Sequence, residues 1–211
     1  SNSILSDNMG NVIVLGSVSD SVDLDPGSDT IQFYSSHVSL IVQKLNVLGD
    51  LIWARSIGGS GATSGTSMVI DDVGDILITG TYNGTVDFDP GISVFNSTSN
   101  GSNNFFILKL TKDGEFSWVK SLGTSVNVGF TSSITIDSVM NIYFTGHFYD
   151  SLDCDPGSGV FNIYSSGDED VFVEKLDQNG NFLWAKSFGG KLTDIGNDVK
   201  IGNSGNVYVA T

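Results

Sequence analysis

The residues of this chain whose type and spacing could do chemistry are paired aspartates. Each pair belongs to an Asp-x-Asp-Pro-Gly segment, and the pairs are Asp23 with Asp25, Asp87 with Asp89, and Asp153 with Asp155. Two aspartates separated by one residue in an extended segment point to the same side. The following turn can add carbonyl oxygens, and Ca²⁺ takes about six to eight oxygen ligands. The pairs are therefore candidate Ca²⁺ sites.

A structural role also explains the same residues. Asp25, Asp89 and Asp155 can cap their own Pro-Gly turns through side-chain hydrogen bonds. The other three aspartates are then solvated strand positions. A full calcium loop also needs more acidic positions and a terminal bidentate Glu, and neither recurs here. Both interpretations stay open on the sequence.

The aspartate pairs belong to a cassette of roughly 65 residues that is written three times. Trp53, Trp118 and Trp184 stand 65 and 66 residues apart. The same intervals separate further members of the cassette: Lys44, Lys109 and Lys175, and Gly58, Gly123 and Gly189. A regular period of this kind indicates a repeat architecture in which each unit buries its apolar face against its neighbours.

Each cassette predicts four short strands and almost no helix, because its apolar runs alternate or are short and end in turn residues. Gly74 closes the turn between the first two strands, and Met140 replaces that glycine in the third cassette. Either that turn is built differently, or Met140 takes a strained left-handed conformation. The third and fourth strands form a hairpin, and an extra hairpin or ordered loop containing Asp-Pro-Gly projects between the second and third.

Four strands per unit predict an all-β fold, a β-propeller of four-stranded antiparallel blades with about three blades and a partial one. The chain divides as a single repeat array: a partial unit plus hairpin at 1–59, units at 60–124 and 125–190, and a partial unit at 191–211. Residues 3–16 and 198–211 align as the same half-unit. We expect an open piece of a larger propeller, with blades shared between chains as the alternative.

The tryptophans, the cysteine and the histidines have ordinary structural explanations. The recurring tryptophans are interpreted as anchors for packing between units rather than platforms for carbohydrate stacking. Cys154 replaces Leu24 and Phe88 and is expected to be a small buried residue. His37 and His147 occupy non-equivalent positions without ligand-like neighbours in sequence, and no catalytic or nucleotide-binding motif stands out from the repeat.

The composition of the chain disfavours several classes of binding partner. The formal net charge of −15, with only nine Lys and Arg residues, disfavours nucleic acid and anionic lipid surfaces. No apolar run is long enough to span a bilayer, so no membrane insertion is expected. A single cysteine excludes an internal disulfide and leaves the redox compartment open.

The strings GNVYVAT, TVDFDPG, VFVEKLD and FLWAKSFGG resemble the SBBP family of bacterial β-propeller repeats, and the resemblance covers essentially the whole chain in three copies plus a remnant. The likeness is to the long form found in secreted and surface proteins of Bacteroidetes-like bacteria. The departures are Met140, Cys154, and Thr124 where other units have Gly59 and Gly190. The resemblance implies non-catalytic extracellular scaffolding.

We therefore expect a non-enzymatic extracellular module that serves as scaffold or adhesion surface of a larger secreted or cell-surface protein. Its working parts would be the projecting loops. Its partners would be other blades, neighbouring surface proteins or glycans, and the only cofactor in view is Ca²⁺. The alternative is an accessory or substrate-positioning propeller of a secreted enzyme, with glycan processing as the first guess, whose catalytic part lies outside this chain.

Overall fold

The computed structural model describes residues 2–123 and 129–211, and in these residues all regular structure is strand. The prediction of an all-β fold without helix is confirmed there, and no helix long and apolar enough to cross a membrane is found among them. Thr124 and the unit boundary after it lie outside the described residues. The strands are β1 (Ser3–Ser6), β2 (Val12–Asp23), β3 (Gln32–Leu45), β4 (Leu51–Gly59), β5 (Thr63–Ile70), β6 (Ile76–Tyr82), β7 (Thr85–Asp87), β8 (Asn96–Thr98), β9 (Asn104–Leu110), β10 (Phe116–Leu122), β11 (Phe130–Ile136), β12 (Ile142–Asp153), β13 (Asn162–Leu176), β14 (Phe182–Phe188), β15 (Asp198–Ile201) and β16 (Val207–Ala210).

Each cassette makes its own antiparallel meander. The meanders are β1-β2-β3-β4, then β5-β6-β9-β10, then β11-β12-β13-β14, and finally the two-stranded β15-β16. We call these units 1 to 4. The pairing register repeats as well: Val12 faces Leu45, Ile76 faces Leu110, and Ile142 faces Leu176. Local periodicity and turn chemistry account for this pairing without any long crossover.

The turn between the first two strands keeps one geometry in units 2 and 3, although unit 3 has no glycine there. The N–H of Gly74 donates to the carbonyl of Asp71 at 3.0 Å, and the N–H of Met140 donates to that of Asp137 at the same distance. Gly74 has φ of 92° and Met140 has φ of 65°. The third turn is therefore built like the others, with Met140 in the left-handed conformation. That conformation costs a residue with a Cβ about 1–2 kcal/mol.

The predicted extra hairpin projects from each of the first three units, and it begins at a left-handed residue. In units 1 and 3 this residue is Asp20 (φ 67°) or Asp150 (φ 52°), and in unit 2 it is Gly84 (φ 66°). The strand register shifts at the two aspartates. The left-handed backbone bends the second strand out of its sheet and redirects it into the hairpin.

The projecting hairpin of unit 2 is bound to the preceding unit, which the sequence did not predict. β7 pairs antiparallel with β4, with Gly58 opposite Asp87 and Gly59 opposite Val86, so the first sheet has six strands, β1-β2-β3-β4-β7-β8. A Cβ on Gly59 would overlap the carbonyl oxygen of Thr85. The glycine is needed because the two backbones approach this closely.

Apolar side chains of neighbouring units form shared cores. One core joins units 1 and 2 and includes Leu15 and Ile78; a second joins units 2 and 3 and includes Phe105 and Phe144. A third, smaller core packs Val199 of unit 4 on unit 3. Each unit alone would leave one face of its sheet in water, so stacking is what buries the apolar surface.

The recurring tryptophans lie at these junctions, as predicted. A Cβ on Gly114, in the turn of the next unit, would stand 3.0 Å from Cε3 of Trp53. Gly180 stands in the same relation to Trp118, with a Cβ 3.1 Å from Cζ3. Arg55 adds a hydrogen bond from Nε to the Gly114 carbonyl at 3.0 Å. The rings of Trp53 and Trp118 therefore pack under the glycine turn of the following unit.

Candidate functional site

The first aspartate of each pair closes its projecting hairpin. Oδ1 of Asp23 accepts the N–H groups of Asp25 at 3.0 Å and Ile31 at 2.9 Å. Oδ1 of Asp87 and of Asp153 makes the same two bonds, with the distant partner eight residues along the chain at 2.8 Å and 2.9 Å. These aspartates are not simply solvated strand positions, because each holds both sides of the loop together.

The second aspartate caps the Pro-Gly turn, as the structural interpretation predicted. Oδ1 of Asp25 accepts the N–H of Gly27 at 2.7 Å. Asp89 and Asp155 accept the equivalent glycine N–H groups, each at 2.8 Å. A carboxylate that receives a backbone N–H two residues on mimics a backbone turn. The recurrence of the motif is thus explained by local hydrogen bonding.

The fit of these pairs to Ca²⁺ is limited by what surrounds them. The turn bonds engage Oδ1 of each carboxylate, so a cation would bind at Oδ2. In the part of the chain that the structure describes, no three His, Cys, Asp or Glu side chains group together as metal ligands. A bound Ca²⁺ would need its other oxygens from hydroxyls, amides, carbonyls or water. Ca²⁺ binding at these aspartates stays a prediction.

The aspartate pairs instead form the walls of clefts between units. The first cleft, about 350 Å³, lies between unit 1 and the Asp-Pro-Gly turn of unit 2. The second cleft, about 320 Å³, lies between unit 2 and the Asp-Pro-Gly turn of unit 3. They are lined by equivalent residues: Ser39, Ser56, Asp87 and Asp89 in the first, and Asn104, Ser121, Asp153 and Asp155 in the second.

In both clefts, polar side chains line the two opposite walls. Carboxylates of one unit face hydroxyl or amide groups of the preceding unit, so each cleft offers acceptors and donors together. Tyr34 lines the first cleft from the projecting hairpin of unit 1, and its side chain is 69 % exposed. The arrangement suits a ligand with several hydroxyl groups or a cationic group. The aspartates could be recognised from their spacing in the sequence, but the partners that face them could not.

One cluster in unit 3 breaks the repeat. Nε2 of His147 lies 3.3 Å from Oε1 of Glu169, and His147 Nδ1 is buried without a hydrogen-bond partner among the described residues. Burial lowers the pKa of His147, although the Glu169 charge opposes this, so the imidazole is neutral at pH 7. The signal in the sequence was that units 1 and 2 have Ser17 and Thr81 at the His147 position.

The recurring lysines, whose role the repeat pattern did not predict, form ion pairs with the turn between the first two strands. Lys44 Nζ lies 2.9 Å from Asp7, Lys109 lies 2.9 Å from Asp71, and Lys175 lies 3.8 Å from Asp137. Burial would raise the pKa of Asp7, but hydrogen bonds from Asn11, Lys44 and backbone N–H groups lower it to about 2. These lysines stabilise the turns.

Cys154 is the buried core residue that was expected. It is 0 % exposed, and burial raises the pKa of its thiol far above the ordinary value. Glu174, whose carboxyl lies beside this thiol, is also 0 % exposed. A neutral thiol in an apolar site is a poor nucleophile, so Cys154 has a packing role.

Comparison with known proteins gives a limited likeness. No family model matches the chain. An uncharacterized WD repeat-containing protein of Acanthamoeba polyphaga mimivirus is 29 % identical over 145 residues, 61 % of this chain and 10 % of that protein. The chain thus spans about a tenth of that relative's length. WD repeats build four-stranded propeller blades, so this similarity favours a propeller-like fold.

A solved structure also resembles the chain at low level. A protein of unknown function from Bacteroides caccae matches with 12 % identity and a TM-score of 0.29, covering 80 % of this chain and 78 % of that one. A score this low carries no argument about fold or function.

Proposed function

We propose that this chain is a non-enzymatic, extracellular β-propeller repeat module of the SBBP type. It is a single repeat array, with units 1 to 3 as four-stranded blades and unit 4 as a partial one. It acts as scaffold and adhesion surface of a larger secreted or cell-surface protein. Support comes from the repeated antiparallel meanders, the cores shared between units, and the similarity to a WD repeat-containing protein.

The observation that carries the proposal is the recurrence of one cleft at two successive junctions. A cleft of about 350 Å³ and one of about 320 Å³ are built from equivalent residues. Recurrence at a fixed spacing gives a surface with two similar weak sites. Multivalent contact with a repeating partner raises avidity without any single strong site, which is the behaviour that adhesion requires.

The walls of these clefts are held rigidly. Aspartate hydrogen bonds close each projecting hairpin, and the pairing of β7 with β4 fixes the hairpin of unit 2 to unit 1. A preorganised surface loses little conformational entropy on binding. The projecting hairpin of unit 2 therefore acts as a fixed wall of the first cleft rather than as a free loop.

A neutral glycan is the ligand class that fits this surface best. Carboxylates accept hydrogen bonds from sugar hydroxyls, and Ser56 or Ser121 in the opposite wall can donate or accept. The exposed ring of Tyr34 offers an apolar face for a sugar ring. The net charge of −15 opposes anionic polysaccharides.

Binding to an array of neutral oligosaccharides tests the proposal, with Tyr34→Ala as the probe variant. Loss of an aromatic contact worth about 0.5–1.5 kcal/mol should weaken binding roughly two- to tenfold. Tyr208→Ala is the matched control, because Tyr208 is 59 % exposed and does not line either cleft. Bound oligosaccharides should be recovered uncleaved. Absence of binding, or equal loss in both variants, would reject glycan recognition by the clefts.

The extracellular part of the proposal needs a separate measurement. Antibodies against the chain should label intact source cells before permeabilisation, or should detect the protein in the culture medium. Labelling only after permeabilisation would contradict it.

A further inference from the structure

The chain contains three Asn-Gly pairs, each of which can lose the asparagine amide group spontaneously. They are Asn83-Gly84, Asn100-Gly101 and Asn179-Gly180. In this reaction the backbone nitrogen of the glycine attacks the side-chain carbonyl carbon of the asparagine, a cyclic imide forms and ammonia leaves. Water then opens the ring at either carbonyl, which leaves aspartate or isoaspartate. Asparagine is a thermolabile residue, and a following glycine hinders the attack least because it has no Cβ.

The folded structure decides which pairs can react. The attack requires the glycine nitrogen and the asparagine carbonyl carbon to approach to about 3–3.5 Å in the right orientation. An asparagine side chain that is held by hydrogen bonds cannot rotate freely into that arrangement. A glycine N–H that donates a hydrogen bond must first lose it.

The Asn83 pair is held at both ends. Oδ1 of Asn83 accepts the N–H of Ala62 at 3.0 Å, and its Nδ2 lies 3.4 Å from Oδ1 of Asn103. The N–H of Gly84 donates to Oγ of Ser99 at 3.0 Å. Both the side chain and the attacking nitrogen are therefore occupied.

The Asn179 pair lies in the turn between the third and fourth strands of unit 3. The N–H of Gly180 donates to the carbonyl of Asp177 at 3.0 Å, and the N–H of Asn179 donates to Oδ1 of Asp177 at 2.8 Å. Gly180 is buried, and a Cβ there would stand 3.1 Å from the Trp118 ring. The attacking nitrogen is therefore held inside a packed turn.

The Asn100 pair is held at neither group that reacts. Asn100 and Gly101 are both exposed, in the loop between β8 and β9. The backbone N–H of Asn100 donates to Oδ1 of Asn104 at 3.1 Å. Within residues 2–123 and 129–211, neither the Asn100 side chain nor the Gly101 N–H has a hydrogen-bond partner. The two reacting groups can therefore meet without breaking a native contact.

Asn100 also lines the second cleft, where Asp153 and Asp155 form the opposite wall. Loss of the amide would replace a neutral group that donates hydrogen bonds by a carboxylate that only accepts them. The second cleft would then be lined by three carboxylates. The lining of the first cleft contains two aspartates and no asparagine, so it would stay as it is.

We propose that Asn100-Gly101 is a site of spontaneous deamidation that weakens the second cleft for neutral glycans and leaves the first cleft unchanged. The co-reactant is water, and ammonia is released. The chemical step rests on the geometry of the loop alone. Its effect on ligand binding rests on the proposed glycan function, because sugar hydroxyls that accept from the amide would lose that donor.

Incubation of the folded chain at mildly alkaline pH, followed by peptide mass spectrometry, tests the chemical step. Asn100 should be converted about tenfold faster than Asn83 or Asn179, because each of these pairs must first break hydrogen bonds. Isoaspartate among the products identifies the cyclic imide. In guanidinium chloride the three rates should become similar. Asn100→Gln is the matched control, because its longer side chain keeps the amide but closes the ring poorly.

Oligosaccharide binding tests the effect on the cleft. The variants Asn100→Asp and Asn100→Gln are compared in a chain that also carries Tyr34→Ala, so that the first cleft contributes less. The chain with Asn100→Asp should bind roughly two- to tenfold more weakly, which is the contribution of one hydrogen bond.

Two mass-spectrometric results would overturn the chemical step. One is conversion of Asn100 no faster than that of Asn83 and Asn179 in the folded chain. The other is the same order of rates in guanidinium chloride, because the local sequence would then explain it. Equal oligosaccharide binding by the two Asn100 variants would overturn the effect on the cleft. No binding by any chain, wild type included, would overturn that effect together with the proposed function, whereas the conversion of Asn100 is decided separately.

Discussion

Glu174 should control how the stability of this chain depends on pH. Its side chain is 0 % exposed on β13, and neither carboxyl oxygen has a hydrogen-bond partner among the described residues. Burial raises the pKa of Glu174 well above its ordinary value of 4.5; the charges of Asp153 and Asp155 act in the same direction, and the Cys154 thiol acts against it. The folded chain therefore holds this carboxyl protonated at pH values where the unfolded chain does not.

The sign of the effect follows from that difference. A group whose pKa is raised by folding contributes stability that is fully present below its ordinary pKa and is lost as pH rises through the folded value. For Glu174 the loss begins near pH 4.5, where the unfolded carboxyl ionises. Between pH 4.5 and the raised pKa of Glu174 in the folded chain, unfolding releases one proton. The free energy of unfolding then falls by about 1.4 kcal/mol for each pH unit.

Glu174→Gln removes this titration and retains the shape of the side chain. The equivalent residue of unit 1 is Gln43, whose Nε2 donates to the carbonyl of Leu24 at 2.6 Å. A glutamine at 174 can donate in the same way to the carbonyl of Cys154, which occupies the position of Leu24. Relative to the wild-type chain, the free energy of unfolding of the variant should therefore rise by about 1.4 kcal/mol for each pH unit above pH 4.5. This corresponds to roughly 3–6 °C in Tm for each pH unit.

Urea unfolding followed by tryptophan fluorescence at pH 5, 6, 7 and 8 measures the effect. The difference between variant and wild type is compared at each pH, because His147 contributes an opposite trend. Its pKa is lowered by burial, so its contribution is present above its ordinary value near 6.5 and is lost as pH falls below it. That contribution cancels in the difference.

Gln43→Glu is the matched control. It places a carboxyl at the equivalent site of unit 1, where the residue is only half-buried, so it should lose stability with rising pH, but less steeply than Glu174 does. A difference between Glu174→Gln and wild type that stays constant from pH 5 to pH 8 would refute the reasoning. It would mean that Glu174 titrates alike in the folded and unfolded chains.

Three further predictions concern single sites. Met140→Gly should remove a left-handed backbone strain of about 1–2 kcal/mol, and it adds a glycine entropy penalty of about 0.5–1 kcal/mol. Urea unfolding should therefore show a free energy of unfolding that is higher by roughly 0.5–1 kcal/mol; a lower value would contradict the strain. Trp118→Ala should lower the free energy of unfolding by about 2–3 kcal/mol, less than for a fully buried ring because Trp118 is half-buried. Trp184→Ala should lower it by less, because the glycine turn of the next unit covers only Trp118; equal losses would argue against an anchoring role. If Ca²⁺ binds the aspartate pair of unit 2, millimolar Ca²⁺ should raise the Tm of the wild type more than that of a chain with Asp87→Ala and Asp89→Ala; equal shifts would exclude metal at that pair.

Local features of the chain could be predicted from the sequence because they depend on neighbours along it. The two-residue alternation and the turn glycines determined the strands and hairpins, and the cassette period determined the order of the sheets. The capping role of Asp25, Asp89 and Asp155 also follows from a hydrogen bond that spans two residues. Met140 was ambiguous because a left-handed residue and a different turn fit the same letters; only the backbone decided between them.

Contacts between cassettes were decided by the tertiary structure. The pairing of β7 with β4 and the facing of Ser56 and Asp89 across the first cleft join residues whose relative position depends on how two sheets dock. The sequence by itself thus determined the repeating unit and its strands. Packing between units decided which polar groups share a cleft and which charged group is buried, because those outcomes depend on the distance between elements rather than on spacing along the chain.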